Sequence, residues 1–119
     1  MFGNRSRNGW SRMRILAAVA PAVVFVTVSC SASAPSAAGD PQLELGRSMF
    51  AARCSACHGP SGAGAFGPKL SEGAVVKKYP DPADQRAVVA NGRGNMPKWS
   101  SILSADEIDA VVRYTREKL

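Results

Sequence analysis

The sequence predicts a small all-α domain in which short helices alternate with long irregular loops. Two segments, "PQLELGRSMFAARC" and "SADEIDAVVRYTREKL", place apolar residues at helical spacing. Between them lies "GPSGAGAFGPKLSEG", whose Gly and Pro residues favour loop, and no stretch shows the alternation of a strand. Loops as long as the helices build a poor apolar core by themselves, so we expect a further component at the centre of the domain.

The first helix is expected to run from Pro41 to Cys54 or slightly beyond. Leu43, Gly46 and Phe50 recur at the spacing that places them on one side of it.

Two further helices are expected among the loops. A short one covers Ala74 to Lys78 and ends before Pro80. The next lies in "DPADQRAVVANG", which begins with acidic residues and closes with Asn-Gly. The segment "RGNMPKWSSI" that follows is expected to be loop.

The last helix is the most clearly marked element. Ser104 is its expected N-cap, and Glu107, three residues later, completes a capping box. The apolar side of the helix is then formed by Ile108, Val111, Val112 and Tyr114.

The pattern of residues 1–29 predicts a signal peptide. Arg5, Arg7, Arg12 and Arg14 precede the apolar run "ILAAVAPAVVFVTV" with no acidic residue among them. The run is shorter than the roughly 20 apolar residues of a spanning helix, and Pro21 interrupts it. An uncleaved N-terminal membrane anchor is the alternative, and both interpretations place the chain outside the cytoplasm.

The end of this segment, "VTVSC", resembles a bacterial lipobox, in which Cys30 would carry the lipid anchor. Ordinary cleavage before Gly39 is the competing interpretation. The Ala-, Ser- and Pro-rich residues 30–41 are expected to form a flexible tether, and residues 42–119 the folded domain. The domain is therefore expected in the periplasm or at the outer face of the cytoplasmic membrane, tethered to it.

The charge of the chain comes mostly from its start. Four of the 15 Lys and Arg residues lie in the first 29 residues, which leaves 11 against nine Asp and Glu in the exported part. Such a small excess gives no basis for nucleic-acid binding.

The segment "CSACH" carries the chemistry. In an exported domain, C-x-x-C followed at once by His is typical of covalent haem c attachment. One helical turn brings Cys54 and Cys57 to the same side, where each thiol can form a thioether with one haem vinyl group. His58, the only histidine of the chain, is then the expected proximal ligand of the iron.

Other interpretations of this segment are weaker. A structural zinc site needs four ligands, and apart from Cys30 only these three are present. A thioredoxin-like dithiol expects a βαβ setting, which the sequence lacks. A structural disulfide would leave His58 without a role.

The domain resembles the class I monohaem cytochromes c. Besides "CSACH", it has "GPKL" at 67–70 and "NMPKW" at 95–99, followed by a C-terminal helix. Gly46 and Phe50 match the small and aromatic residues of the family's first helix, and Val111 and Tyr114 match the pair that crosses it. The resemblance implies a small cytochrome c fold, with three to four short helices wrapped around one covalently bound haem.

The resemblance also assigns residues to the haem site. Met96 would be the second iron ligand, and the carbonyl of Pro68 would accept the Nδ1 proton of His58. Trp99 would donate its indole N–H to a haem propionate, with a packing role alone as the alternative. Met49 is expected to be core filler, and Arg93 or Lys98 could also meet a propionate, although solvated charge is the plainer expectation.

Five apolar residues of the later segments are expected to pack on the haem or between helices: Leu70, Val88, Val89, Ile102 and Leu103.

With both axial positions of the iron filled, the expected function is electron transfer. The chain would be a monomeric one-electron shuttle between respiratory complexes at the membrane. One alternative is a tethered haem subunit of an oxidase or dehydrogenase complex. A peroxidase-like haem protein is disfavoured, because no second histidine could act in acid–base catalysis.

Overall fold

The computed structural model describes residues 35–119. The proposed signal segment and Cys30 lie outside the described residues, and their assignments stay predictions. The described residues form helices and no strand, which confirms the all-α class. The α-helices are α1 (Pro41–Met49), α2 (Ser55–His58), α3 (Ala74–Lys78), α4 (Pro82–Asn91) and α5 (Ala105–Glu117).

The first helix continues to the end of α2 through a π-helical turn, Phe50–Cys54. The predicted extent from Pro41 to Cys54 or slightly beyond is confirmed, but the π turn was not predicted. The segment expected to be loop after α4 contains one short 3-10 turn, Trp99–Ser101.

Side-chain caps fix where the longer helices begin. The Asp40 carboxylate accepts from the backbone N–H groups of Gln42 and Leu43 at 3.0 and 3.1 Å, ahead of Pro41 in the first position of α1. The predicted capping box of α5 is present. Its two bonds run from the Glu107 backbone N–H to Ser104 Oγ and from the Ser104 N–H to the Glu107 carboxylate.

The helix crossing, the contact of α1 with α5, is the packed centre of the domain. A Cβ on Gly46 would lie 2.1 Å from the carbonyl oxygen of Ala110, so only glycine allows the two helices to come this close. Next to it the fully buried rings of Phe50 and Tyr114 pack with centroids 5.8 Å apart. The small and aromatic residues predicted to pair across these helices therefore do so.

The buried core extends from this crossing, and most of the apolar residues expected to be buried belong to it. Val88 lines the cavity instead of joining this cluster. Ile102 is 59% exposed, so its predicted packing is wrong. The buried apolar members of the cluster are Ala37, Leu43, Phe50, Val89, Leu103, Ile108, Val111, Val112 and Tyr114.

Packing begins before α1. Ala37 is buried in the core cluster, and the Tyr114 hydroxyl donates to the carbonyl of Pro35 at 3.2 Å. Residues 35–40 are thus attached to the domain even though they belong to the predicted tether. Across residues 35–119, no helix has the length and apolarity that crossing a membrane requires.

Candidate functional site

A cavity of about 520 Å³ lies between the helix pair and the loops. This is in the range of about 300–1,000 Å³ that is usual for small-molecule and cofactor sites. All six residues assigned to the haem site by sequence line it. They are Cys54, Cys57, His58, Pro68, Met96 and Trp99. Its apolar walls include Leu70, Val75, Val88, Val89 and Val111.

The π turn Phe50–Cys54 sets the direction of the residues that follow it. The backbone N–H of Ser55 bonds to the carbonyl of Phe50, five residues back instead of four. One extra residue in a turn rotates everything after it by about 100° relative to a regular α-helix. Phe50 can therefore stay in the helix crossing while Cys54, Cys57 and His58 all line the cavity.

The two cysteines are free thiols with different environments. Cys57 is exposed, whereas Cys54 is partly covered. Burial, and to a lesser degree the nearby Cys57, raises the pKa of the Cys54 thiol to about 11. Cys54 is therefore a neutral thiol at physiological pH, and both sulfurs are available for bonds to a group in the cavity.

His58 is held by its Nδ1 atom. The ring is buried, and Nδ1 lies 2.8 Å from the carbonyl oxygen of Pro68. A carbonyl can only accept, so Nδ1 carries the proton of this hydrogen bond. In the neutral ring the lone pair is then on Nε2, which is the atom left to bind a metal.

The loop after α2 places the Pro68 carbonyl against His58. Its backbone N–H groups at Gly64 and Gly67 donate to the carbonyls of His58 and Cys57, both at 2.8 Å, which satisfies the end of the helix. A Cβ on Gly67 would lie only 2.9 Å from His58 Cε1. Gly67 is thus a residue of the site that sequence reasoning missed, although the quoted "GPKL" contained it.

Met96 lies at the end of a tight backbone hairpin. The N–H and C=O groups of Arg93 and Met96 bond reciprocally, at 3.2 and 3.0 Å. Gly92, at a positive φ of 76°, precedes the hairpin, and a Cβ there would lie 2.6 Å from the Met96 carbonyl oxygen. The backbone therefore fixes Met96 on the cavity wall without help from a helix.

The other predicted contacts are distributed between the cavity and the core. Trp99 is half-buried against the core cluster as well as lining the cavity. Met49 packs against the core and does not line the cavity, as expected of core filler. Arg93 lines the cavity, whereas Lys98 does not.

The charged residues that line the cavity are all basic. They are Arg53, Lys69, Lys78 and Arg93, which we call the cationic rim, and no Asp or Glu of the described residues joins them. Lys69 forms an ion pair with Glu72 at 2.7 Å. Phe66, 97% exposed, also lines the cavity.

These features fit a covalently bound haem. Two free thiols one helical turn apart, a histidine with Nδ1 held by a carbonyl and a thioether all border one apolar cavity. Soft sulfur and imidazole nitrogen are established ligands of haem iron. Of this rim, only Arg93 is among the residues that the resemblance places near a propionate, which leaves Arg53, Lys69 and Lys78 as charges at the border of the cavity.

Comparisons with known proteins also indicate a haem-binding protein. Residues 41–114 match the family model described as cytochrome C oxidase, cbb3-type, subunit III. Cytochrome c6 of Bryopsis maxima is 39% identical over 77 residues, which cover 60% of this chain and 86% of that protein.

Solved structures show the same fold. Cytochrome c6C of Synechococcus sp. PCC 7002 aligns with a TM-score of 0.52 and 27% identity, over 61% of this chain and 92% of that one. Cytochrome CL of Methylophaga aminisulfidivorans aligns with a TM-score of 0.55 and 27% identity, over 66% of this chain. The matched part spans only 56% of that second structure. The predicted fold class is thereby confirmed.

Proposed function

Because this chain belongs to the cytochrome c family, we propose that it is a one-electron carrier whose haem iron is bound by His58 and Met96. Family membership confirms the predicted resemblance, the single covalently bound haem c and electron transfer as the activity. The two iron ligands, the docking partners and the place in the cell are our proposals. When bound, the haem supplies an iron that changes reversibly between two oxidation states.

One observation carries the assignment of ligands. His58 and Met96 are 38 positions apart in sequence, yet both line the cavity that the two cysteines border. Cys54 and Cys57 would attach the haem, and His58 would bind the iron through Nε2, oriented by Pro68. Met96 would bind through sulfur, which raises the haem potential relative to a second histidine.

The remaining wall residues exclude water and orient the group. Aliphatic side chains from α3, α4 and α5 border the cavity, and Trp99 lines it as well. A dry site with fixed ligands keeps the same ligand set in both oxidation states. With His58 and Met96 both holding the iron, the group would supply reversible one-electron chemistry and no binding site for a substrate.

The cationic rim supports docking of partners that carry acidic surfaces. The described residues have nearly balanced charges overall, so a basic border around the cavity is a local feature. Such a border raises the rate of encounter with negatively charged partners and weakens as salt is added. We propose brief docking by the monomer at the edge of the cavity, through a small interface.

The cellular setting rests on the sequence before residue 35. A lipid on Cys30, or an uncleaved anchor, would keep the domain at the outer face of the cytoplasmic membrane. Tethering raises the effective concentration at membrane-bound respiratory partners. The alternative of a fixed subunit is favoured by the family model, whose description names a subunit of a cbb3-type oxidase.

Absorption of the ferric protein tests the ligand assignment. A methionine–iron bond gives a weak far-red band, which we expect in the wild type and not in Met96→Ala. Met49→Ala is the matched control, since Met49 lies in the core and outside the cavity. A band that persists in Met96→Ala would show that Met96 is not an iron ligand.

Membrane fractions test the tether and separate a shuttle from a subunit. Cys30→Ala should release the domain into the soluble periplasmic fraction, whereas continued retention would indicate an uncleaved anchor. Solubilised membranes should yield the domain free of any complex. Recovery in fixed proportion with one oxidase would instead support the subunit function.

A further inference from the structure

Tyr79 connects two parts of the cavity wall that are distant in sequence. It lies between α3 and α4 and lines the cavity. Its hydroxyl accepts a hydrogen bond from the Arg93 guanidinium at 2.9 Å, and its backbone carbonyl accepts one from Arg116 at 2.8 Å. One residue thus contacts both α5 and the segment that carries Met96.

The contact with α5 is firmly anchored. The Arg116 guanidinium also donates to the carbonyl of Pro80 at 2.9 Å and to the side-chain oxygen of Gln85 at 3.2 Å. Gln85 is buried and donates to Thr115 on α5 at 2.7 Å. These bonds join α4 and α5, so the position of Tyr79 is fixed by the helical part of the domain.

The other contact reaches Met96. Arg93 forms hydrogen bonds with Met96 through both of its backbone groups. A contact that fixes the position of Arg93 therefore also restricts the Met96 hairpin. The hairpin follows α4 directly, where the Gly92 N–H bonds to the Val88 carbonyl at 2.9 Å, but it belongs to no regular element itself. The hydrogen bond between Tyr79 and Arg93 is therefore a link from a helix-anchored residue to the hairpin.

We propose that Tyr79 and Arg93 form a brace that holds Met96 in position on the cavity wall. The proposal rests on the proposed function, in which the Met96 sulfur binds the iron. A thioether would be a weak ligand of that iron, and an added ligand would compete with it more easily when the hairpin opens. The brace makes opening less favourable, and Tyr79 acts as a positioning residue through Arg93.

Competition with imidazole measures how strongly the brace holds Met96 in position. Ferric wild type and variants are titrated with imidazole, and loss of the far-red band reports displacement of Met96. Tyr79→Phe removes only the hydroxyl and keeps the ring and the carbonyl. A single hydrogen bond is worth about 0.5–1.5 kcal/mol, so the half-effective imidazole concentration should fall about twofold to twelvefold.

The chain offers a matched control in its other tyrosine. Tyr114→Phe also removes one hydroxyl, which donates to Pro35 and does not line the cavity. Its half-effective concentration should equal that of the wild type. If both variants keep a Met96-dependent band, equal half-effective imidazole concentrations for Tyr79→Phe and Tyr114→Phe would overturn the brace. The proposed function would remain intact.

Arg93→Gln removes the guanidinium donor of the same hydrogen bond. It provides a second test if Tyr79→Phe does not fold. It should give a similar decrease, and the double variant should show no more than the larger single effect. A multiplicative double effect, or an effect of Arg93→Gln alone, would mean that Arg93 acts through its charge and would overturn the brace. A wild type without a Met96-dependent band would overturn both proposals.

Discussion

Where α1 crosses α5, side chains and backbone pack directly on each other, and Gly46, Phe50 and Tyr114 leave no space. The loop wall, residues 59–73 and 92–98, instead borders an open cavity and is held mainly by backbone hydrogen bonds and glycines. The helix crossing contains its own core, whereas only Leu70 and Met96 of the loop wall pack against that core. The haem would supply the other apolar contacts, so the cofactor is structural on one side of the domain.

The largest effect should follow from removing the attachment. Cys54→Ser combined with Cys57→Ser should abolish covalent haem and leave the loop wall without a core, because a domain this small has little other stabilisation. We expect rapid cleavage by added protease within residues 59–73 and 92–98. Ser100→Ala, an exposed change, should resist as the wild type does. A protease-resistant double variant without haem would contradict the comparison.

A change in the helix crossing should act without altering the haem. Gly46→Val places a side chain where a Cβ already lies 2.1 Å from the Ala110 carbonyl oxygen. Overpacking of this kind should lower the free energy of unfolding by about 3 kcal/mol. Chemical denaturation measures the loss, and the far-red band should be retained.

Ser48→Val is the matched control for that change. It introduces the same side chain on α1 at an exposed position, so its stability should lie close to that of the wild type. Equal stability of the two valine variants would show that the crossing is looser than the structure indicates.

A charge change in the cationic rim should have a smaller effect, limited to the rate of electron transfer to a charged partner. Lys78→Glu should slow reduction of hexacyanoferrate(III), an anionic oxidant, by about threefold at low salt, with the difference shrinking as salt is added. Stopped-flow absorption gives the rate constants. Lys118→Glu makes the same charge change at an exposed residue outside the cavity. A similar decrease in both variants would indicate net charge instead of the rim.

The smallest effect concerns the start of α1. The Arg113 side chain, helped by the Leu43 backbone N–H, lowers the pKa of Asp40 below its ordinary value. The native state therefore binds fewer protons here than the unfolded state. The stabilisation is present above the unfolded pKa, near 4, and is lost as the pH falls through the lower folded value.

Thermal unfolding tests this direction. Asp40→Asn should lower the melting temperature at pH 7, and this deficit should shrink as the pH is lowered below about 4, the ordinary pKa of an aspartate. Asp84→Asn, an exposed carboxylate on α4, is the control. A deficit of Asp40→Asn that stays constant across this range would contradict the assigned ion pair.

Local sequence signals predicted the helix-based part of the domain well. The capping box of Ser104 and Glu107 and the "CSACH" segment each lie within five residues, so their geometry follows from adjacent positions. The first helix was also predicted, but its π turn was not. The extra residue is stabilised by the simultaneous packing of Phe50 on α5 and Cys54 at the cavity, which no local pattern encodes.

Contacts between residues distant in sequence were the hardest to predict. Tyr79 meets Arg93 and Arg116 across 14 and 37 positions, and each of these residue types is common on surfaces. Gly67 lies in a loop rich in glycine, and what distinguishes it is that a Cβ at this position would lie 2.9 Å from His58 Cε1. Ile102 was expected to be buried, but a short 3-10 turn does not determine which side faces solvent.

The coordination of Met96 is the central claim, and NMR of the reduced protein tests it most directly. After residue 29 the chain contains two methionines, Met49 and Met96, whose methyl groups can be labelled with ¹³C. We predict one methyl resonance shifted far upfield by the haem ring current and one in the ordinary range. The shifted signal should survive in Met49→Leu and vanish in Met96→Leu. Two unshifted resonances in a protein that carries its covalent haem would contradict the account.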